Sequence, residues 1–286
     1  MELNNKKKIL IVGLGLLGGS YAKALKRQGF TVYAITKEQK SIDYALQNNI
    51  IDCGKTTVEK DFLDKADIIV FALYPHVFTE WVQTYGHLIK SGTILTDVTG
   101  VKECVVYKIQ SLLPCGVEFI AAHPMAGREV FGVENADDSI FKDANYIVVP
   151  TEKNSEEAIE LCKQLGKVLG FAKISTLNPQ KHDEMIAFLS QLTHCIAVCL
   201  MCANADDSLV QYTGDSFRDL TRIANINDDM WSELFLLNKN FLLKEMEVFE
   251  KSFNELYNYI KTGDREGMRE MMRLSSSRRK KFNKGV

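Results

Sequence analysis

The chain has 286 residues, 46% apolar and 25% charged, which suits about two globular domains, each large enough for its own core. Its formal net charge of -2 and sequence pI of about 6.2 speak against a polyanionic partner such as nucleic acid or an acidic membrane, and leave small solutes as the expected ligands.

Residues 1–8 are polar and basic, and the apolar stretch 9–17 is broken by glycines and lacks a small-residue cleavage site, so no secretory signal is expected and a cytoplasmic location is. Lys8–Val12 reads as a short buried strand. It runs into Gly13-Leu14-Gly15-Leu16-Leu17-Gly18-Gly19, and a helical pattern through Tyr21, Ala24 and Leu25 stops at Gly29. Between a strand and a helix this glycine spacing points to a dinucleotide. Gly13 permits the tight turn, Gly15 lets backbone approach a pyrophosphate, and Gly18 allows helix and strand to pack closely. Leu14, Leu16 and Leu17 lie in the same turn, where the first free N–H groups of the helix face the phosphates.

A second strand, Thr31–Ile35, ends at Thr36-Lys37. An acidic residue there would bind ribose hydroxyls, whereas a hydroxyl and an ammonium suit a 2′-phosphate, so the cofactor reading leans to NADP. Glu38 nearby keeps NAD open, and so does a Lys37 that is simply solvated.

Further buried strands are expected at 67–73 and 93–97, separated by helix-length polar stretches. The parallel sheet is expected to continue through 118–122, 146–149 and 172–175, with a helix over 155–169 ending at Gly170. His123 follows the strand 118–122, at the carboxyl edge where doubly wound sheets bind ligands, on a turn fixed by Pro124 and Gly127. After Asn178-Pro179 strand patterns give way to helical periodicity over 180–205, 231–262 and on to Arg273. The fold class is therefore α/β: a doubly wound parallel-sheet (Rossmann) domain, residues 1–176, followed by an all-helical domain, residues 177–286.

The most apolar segment, 185–205, contains Ser190, Gln191, Thr193 and His194, and is expected to be a buried helix in preference to a membrane span. Seven cysteines, an odd number without a scaffold pattern, argue for free thiols. Cys195, Cys199 and Cys202 would share one helix face. They are read as small apolar residues in a helix seam and not as a metal or redox site, since no second CxxC accompanies them. Farther on, Phe235, Leu236, Phe241, Leu242, Met246, Phe249, Phe253, Leu256 and Tyr257 exceed what one small bundle buries, which predicts a homodimer through this half. Residues 275–284 form a basic tail, expected to be a solvated end.

The segments GLGLLGGS, TDVTGVK, HPMAGRE, SQLTH and GDSFRDLTRIA, the last followed by Met230-Trp231, together resemble the prephenate and arogenate dehydrogenase family over nearly the whole chain. The resemblance implies a nucleotide-binding domain, a helical dimerisation domain, and a cleft between them. It implies oxidative decarboxylation of prephenate to 4-hydroxyphenylpyruvate, or of arogenate to tyrosine, with hydride transfer to NAD(P) in tyrosine biosynthesis. It makes His123 the acceptor of the ring hydroxyl proton and Arg222 the ligand of a substrate carboxylate. His194 would stand near the substrate side chain, Glu129 would gate the pocket, and Asp219 and Trp231 would support the arginine segment. Asp183, Ser190 and His194, spaced i, i+7 and i+11, are expected to face the cleft together.

Two positions depart from the family pattern. Gly100 stands where many relatives carry a serine whose hydroxyl meets substrate and nicotinamide, and Thr99 is the candidate replacement. Gln191 stands where some relatives carry histidine and is a candidate substrate contact. With no regulatory domain after the helices and no mutase domain before Met1, a monofunctional enzyme is expected. Two competing readings are a two-domain hydroxyacid or imine dehydrogenase, which would carry a catalytic lysine where this chain has His194, and a non-catalytic dinucleotide sensor.

Overall fold

The computed structural model describes residues 3–282; the first two residues and the end of the basic tail lie outside them. The chain alternates strands and helices from its start: β1 (Lys8–Val12), α1 (Leu16–Arg27), β2 (Thr31–Ile35), α2 (Gln39–Gln47), β3 (Cys53–Lys55), α3 (Lys60–Leu63), β4 (Ile68–Phe71), α4 (Pro75–Tyr85), β5 (Ile94–Asp97), α5 (Glu103–Leu112) and β6 (Glu118–Phe119). These strands form one parallel sheet in the order β3-β2-β1-β4-β5-β6, the order of a doubly wound nucleotide-binding fold. Ile9, Leu10, Ile11, Ile69, Val70, Phe71 and Leu95 are fully buried, because helices cover both faces of the sheet. That is why these strands read as continuous apolar runs without alternation.

The expected continuation of the parallel sheet is corrected beyond β6. Ile120 still donates its N–H to Leu95 O, but from Ala121 the chain pairs elsewhere. β7 (Ala121–Pro124), β8 (Asn145–Val149) and β9 (Lys173–Thr176) make a separate three-stranded sheet, in which β7 runs antiparallel to β8 and β8 parallel to β9. β7 and β8 are joined by a loop, whereas α6 (Glu156–Leu169) makes the crossover between β8 and β9.

The loop from β7 to β8 is docked on α1. A Cβ at Gly19 would lie 2.7 Å from Ala136 Cβ and 3.0 Å from Val133 Cγ2. Lys23 Nζ donates to Ala136 O, and Asp137 N donates to Ser20 Oγ at 3.0 Å.

Strands end at Thr176, and helices follow: α7 (Pro179–Ile186), a π turn (Ala187–Leu192), α8 (Thr193–Cys202), α9 (Asp215–Thr221), α10 (Asp228–Leu237), α11 (Lys239–Thr262) and α12 (Arg265–Lys280). Asn178 caps α7 through Lys181 N, with Pro179 at the first turn. The periodicity read as one helix over 231–262 is broken at Asn238. This residue is buried, and its amide donates to Asp183 O and Gln191 Oε1.

Compactness divides the chain at Asn238, into one unit up to that residue and a second from Lys239 on. This lies later than the change from strands to helices, since α7 and α10 send Ile186, Leu234 and the buried Asp183 into the first unit. In the second unit α11 and α12 pack on each other around Gly263, whose φ of 69° forms the turn.

The run 179–202 is long and apolar enough to cross a membrane by length and composition. It is not the buried helix expected: Phe188, Leu189, Leu200 and Met201 are exposed in the single chain, as are Cys199 and Cys202, which were read as seam residues.

Candidate active site

Gly13 has φ of +95° and donates its N–H to Ile35 O, which ties the turn to the end of β2. A Cβ at Gly18 would lie 2.0 Å from Gly13 O, whereas one at Gly15 would meet nothing within 4 Å. Two of the glycines thus serve close packing and the third leaves open space. α1 begins at Leu16 with no side chain capping its N-terminus, so its first N–H groups and the positive end of its dipole remain for an anion. These residues fit a dinucleotide pyrophosphate. At the end of β2, Thr36 is partly buried and Lys37 exposed. Glu38 is engaged by Ser41 Oγ at 3.2 Å and by Lys40 Nζ at 3.4 Å.

His123, on β7, is partly buried. Its Nδ1 lies 2.8 Å from Nε2 of His182, whose Nδ1 lies 2.7 Å from Asp183 Oδ1. Asp183 in turn accepts the backbone N–H groups of Lys102 (2.9 Å) and Glu103 (2.8 Å), where α5 begins. Burial, with His182 and Lys102 as neighbours, holds His123 well below the ordinary imidazole value, and burial brings His182 down to about 3. Both rings are therefore neutral near pH 7.

Behind them Lys102 Nζ, fully buried, lies 2.6 Å from Asp97 Oδ2 and donates to Thr99 Oγ1 at 3.0 Å. Asp97 also accepts Thr99 N, Thr99 Oγ1 and, through its other oxygen, Ala122 N, so β5 is pinned to β7 one residue before His123. A buried ion pair needs further hydrogen bonds to offset its desolvation, and here Thr99 and the Ala122 N–H supply them.

A second group gathers around His194. Its Nδ1 is 2.8 Å from Ser190 O, so the ring donates there, and it stacks on Trp231 with centroids 3.7 Å apart. Burial pushes its pKa down, and the charges of Glu129 and Arg222 both reach it. Arg222 Nη1 bonds Glu129 Oε1 at 2.6 Å across 93 residues of sequence. Trp231 and Met230 pack in the same apolar cluster as Met125, two residues after His123.

Three expected contacts are corrected. Thr99 is 3% exposed and its hydroxyl is used up on Asp97, Lys102 and Val101 O, so it braces the strand end and does not replace the missing serine. Gln191 is 1% exposed, donating to Leu234 O and accepting from Asn238, and so ties the π turn to α10 without reaching a ligand. Asp183 is 2% exposed and turned onto α5; the π turn between it and His194 breaks the 3.6-residue phase on which their shared face rested. Asp219, expected to support the arginine segment, lies exposed on α9, one turn ahead of Arg222. His182, Lys102 and Asp97 carry the polar network and were not singled out from sequence. The only local signal was the His182-Asp183 pair just inside a capped helix start.

Residues 21–174 match the family model for the prephenate dehydrogenase nucleotide-binding domain, and residues 178–274 match that for its dimerization domain. The chain is 28% identical over 270 residues to a prephenate dehydrogenase of Bacillus subtilis, covering 92% of this chain and 72% of that protein. It is 32% identical over 257 residues to one of Lactococcus lactis, covering 87% and 70%. Its structure is similar to that of prephenate dehydrogenase from Aquifex aeolicus in complex with hydroxyphenyl propionate and NAD+, with a TM-score of 0.88, 29% identity and 99% of both chains covered.

Proposed function

The chain belongs to the prephenate dehydrogenase family, and from that premise we propose that it oxidatively decarboxylates prephenate or arogenate in tyrosine biosynthesis, with His123 as the base. The observation that supports the assignment is the neutral imidazole of His123 at a strand end, held through its Nδ1 by His182, with its own Nε2 making no hydrogen bond among the described residues.

When bound, a nicotinamide dinucleotide supplies the acceptor for the hydride that leaves the hydroxyl-bearing ring carbon. His123 Nε2 takes the proton of that hydroxyl as the carbon becomes a carbonyl, which is worth about 10²- to 10⁴-fold in rate. The bond from the ring to its carboxylate then breaks, carbon dioxide departs, and the bonding pair enters the ring to make it aromatic. Arg222 grips a substrate carboxylate with its two-pronged guanidinium, exchanging Glu129 for the ligand, so Glu129 acts as the gate. His194, stacked on Trp231, offers Nε2 to the substrate side chain.

Steady-state rates with prephenate and arogenate, each crossed with NAD and NADP, test this reading. Reduced cofactor is expected with at least one pair, and cofactor binding without any turnover would leave a sensor instead. The protein binds a nicotinamide dinucleotide. The finer choice of NADP rests on Thr36 and Lys37, with Glu38 occupied by Ser41 and Lys40. Lys37→Glu is expected to lower the NADP-to-NAD ratio of kcat/KM about tenfold, the effect of one exposed charge-assisted hydrogen bond; an unchanged ratio would remove Lys37 from the choice, and a wild-type ratio below one would assign the cofactor to NAD.

The exposed Phe249, Phe253, Tyr257 and Ile260 of α11 and Leu200 and Met201 of α8 support a homodimer through the helical half, residues 177–286. Light scattering at micromolar protein should give twice the 32.3 kDa chain mass, and a monomer would overturn it.

A further inference from the structure

We propose that His182 is a positioning residue that fixes the tautomer of His123, so that Nε2 of His123 is the bare nitrogen in every resting molecule. The inference rests on the dehydrogenase reading and deepens it.

The direction of the hydrogen bonds follows from the end of the chain of contacts. Burial raises the Asp183 pKa from the ordinary carboxylate value, but the two backbone N–H groups it receives at the start of α5, at 2.9 and 2.8 Å, and the nearby Lys102 ammonium favour the ionised carboxylate there. An ionised carboxylate only accepts. The atom of His182 facing it at 2.7 Å, Nδ1, therefore carries a proton. A neutral His182 then has a bare Nε2, and that nitrogen lies 2.8 Å from His123 Nδ1. Two bare nitrogens cannot make this contact, so His123 carries its proton on Nδ1 and none on Nε2.

The opposite arrangement needs a doubly protonated His182 donating to His123. It would put a second positive charge on a ring with no exposed surface, close to the buried ammonium of Lys102. Desolvation and like charge both oppose that state. Of the carboxylates around the pair, Asp97 is paired with Lys102, and Asp183, which accepts from His182, shares its charge with two backbone N–H groups of α5. When His123 accepts the substrate proton it keeps its Nδ1–H on His182, so no side chain has to rearrange as charge appears.

A lone imidazole in water exchanges freely between tautomers, and only one of them can act here as the base. The distinguishing measurement is a long-range ¹H–¹⁵N NMR correlation on the cofactor-free protein, with the His123 ring assigned through His123→Asn. Wild type is expected to show protonated Nδ1 and bare Nε2. In His182→Leu, where no acceptor faces Nδ1, both tautomers should appear. In that variant kcat should fall about 10- to 100-fold with KM for the substrate within about threefold, and His182→Gln, which still offers an acceptor, should restore most of the rate and the Nδ1–H signal.

A wild-type ring protonated at Nε2, or a His182→Leu enzyme with wild-type kcat, would overturn the proposal. If the leucine variant does not fold, the wild-type spectrum decides. Absence of turnover by the wild type would overturn the dehydrogenase reading instead, and the tautomer is read without turnover.

Discussion

His123→Asn should lower kcat by about 10²- to 10⁴-fold, the range of general-base catalysis, with KM for the cyclohexadienyl acid changed by no more than a few fold. The partner test is the pH profile of kcat/KM. Because burial and the neighbouring His182 and Lys102 depress the His123 pKa, the neutral form that accepts a proton is already complete at pH 7. Activity is retained as pH falls below the ordinary imidazole value near 6.5, and is lost only at the depressed pKa, through protonation of the base. In His123→Asn that acid limb should vanish along with most of the rate. A limb centred at or above pH 6.5, or a variant with nearly full kcat, would remove His123 from the role.

Arg222→Gln should act on the other parameter. A hydrogen bond to a charged group contributes about 1.5–3 kcal/mol, so KM for the substrate should rise about 10- to 150-fold while kcat stays within a few fold. Arg222→Lys should recover only part of the loss, since an ammonium cannot match the planar fork. Glu129→Gln gives the contrast. It removes the carboxylate that occupies Arg222 at 2.6 Å, so KM should stay level or fall. Initial-rate measurements on the three variants separate these outcomes, and an Arg222→Gln enzyme with lowered kcat and unchanged KM would mean that the arginine acts on the reaction step and not on binding.

The parts legible in the sequence were those encoded by neighbours. Gly13, Gly15 and Gly18 sit within six residues and their spacing has meaning only after a strand, which the run Ile9–Val12 supplied. His123 was legible because a buried strand and a proline frame it. The network behind it was not. Lys102 meets Asp183 across 81 residues and His123 meets His182 across 59, and no local pattern reports such pairings. Polar residues such as Asp183, Thr99 and Gln191 read from sequence as facing ligands, yet burial commits each of them to partners within the chain. The π turn at Ala187–Leu192 is a similar case. Counting by 3.6 places Asp183 beside His194, and a wider turn between them turns the two residues toward different neighbours. The break at β6 was hidden because Phe119 and Ala121 are both buried; hydrophobicity alone does not say which sheet a strand joins.

Gly19, the last glycine of the run, admits Val133 and Ala136 where any side chain would stand. The neighbouring Asp137 leans on Ser20 and holds Arg128 at 2.7 Å, and Arg128 adjoins Glu129. A methyl group added at that point of the first helix would push this outer segment away from its footing. A lesion written into the nucleotide fingerprint would then surface on the far side of the reaction, in how firmly the acid is held.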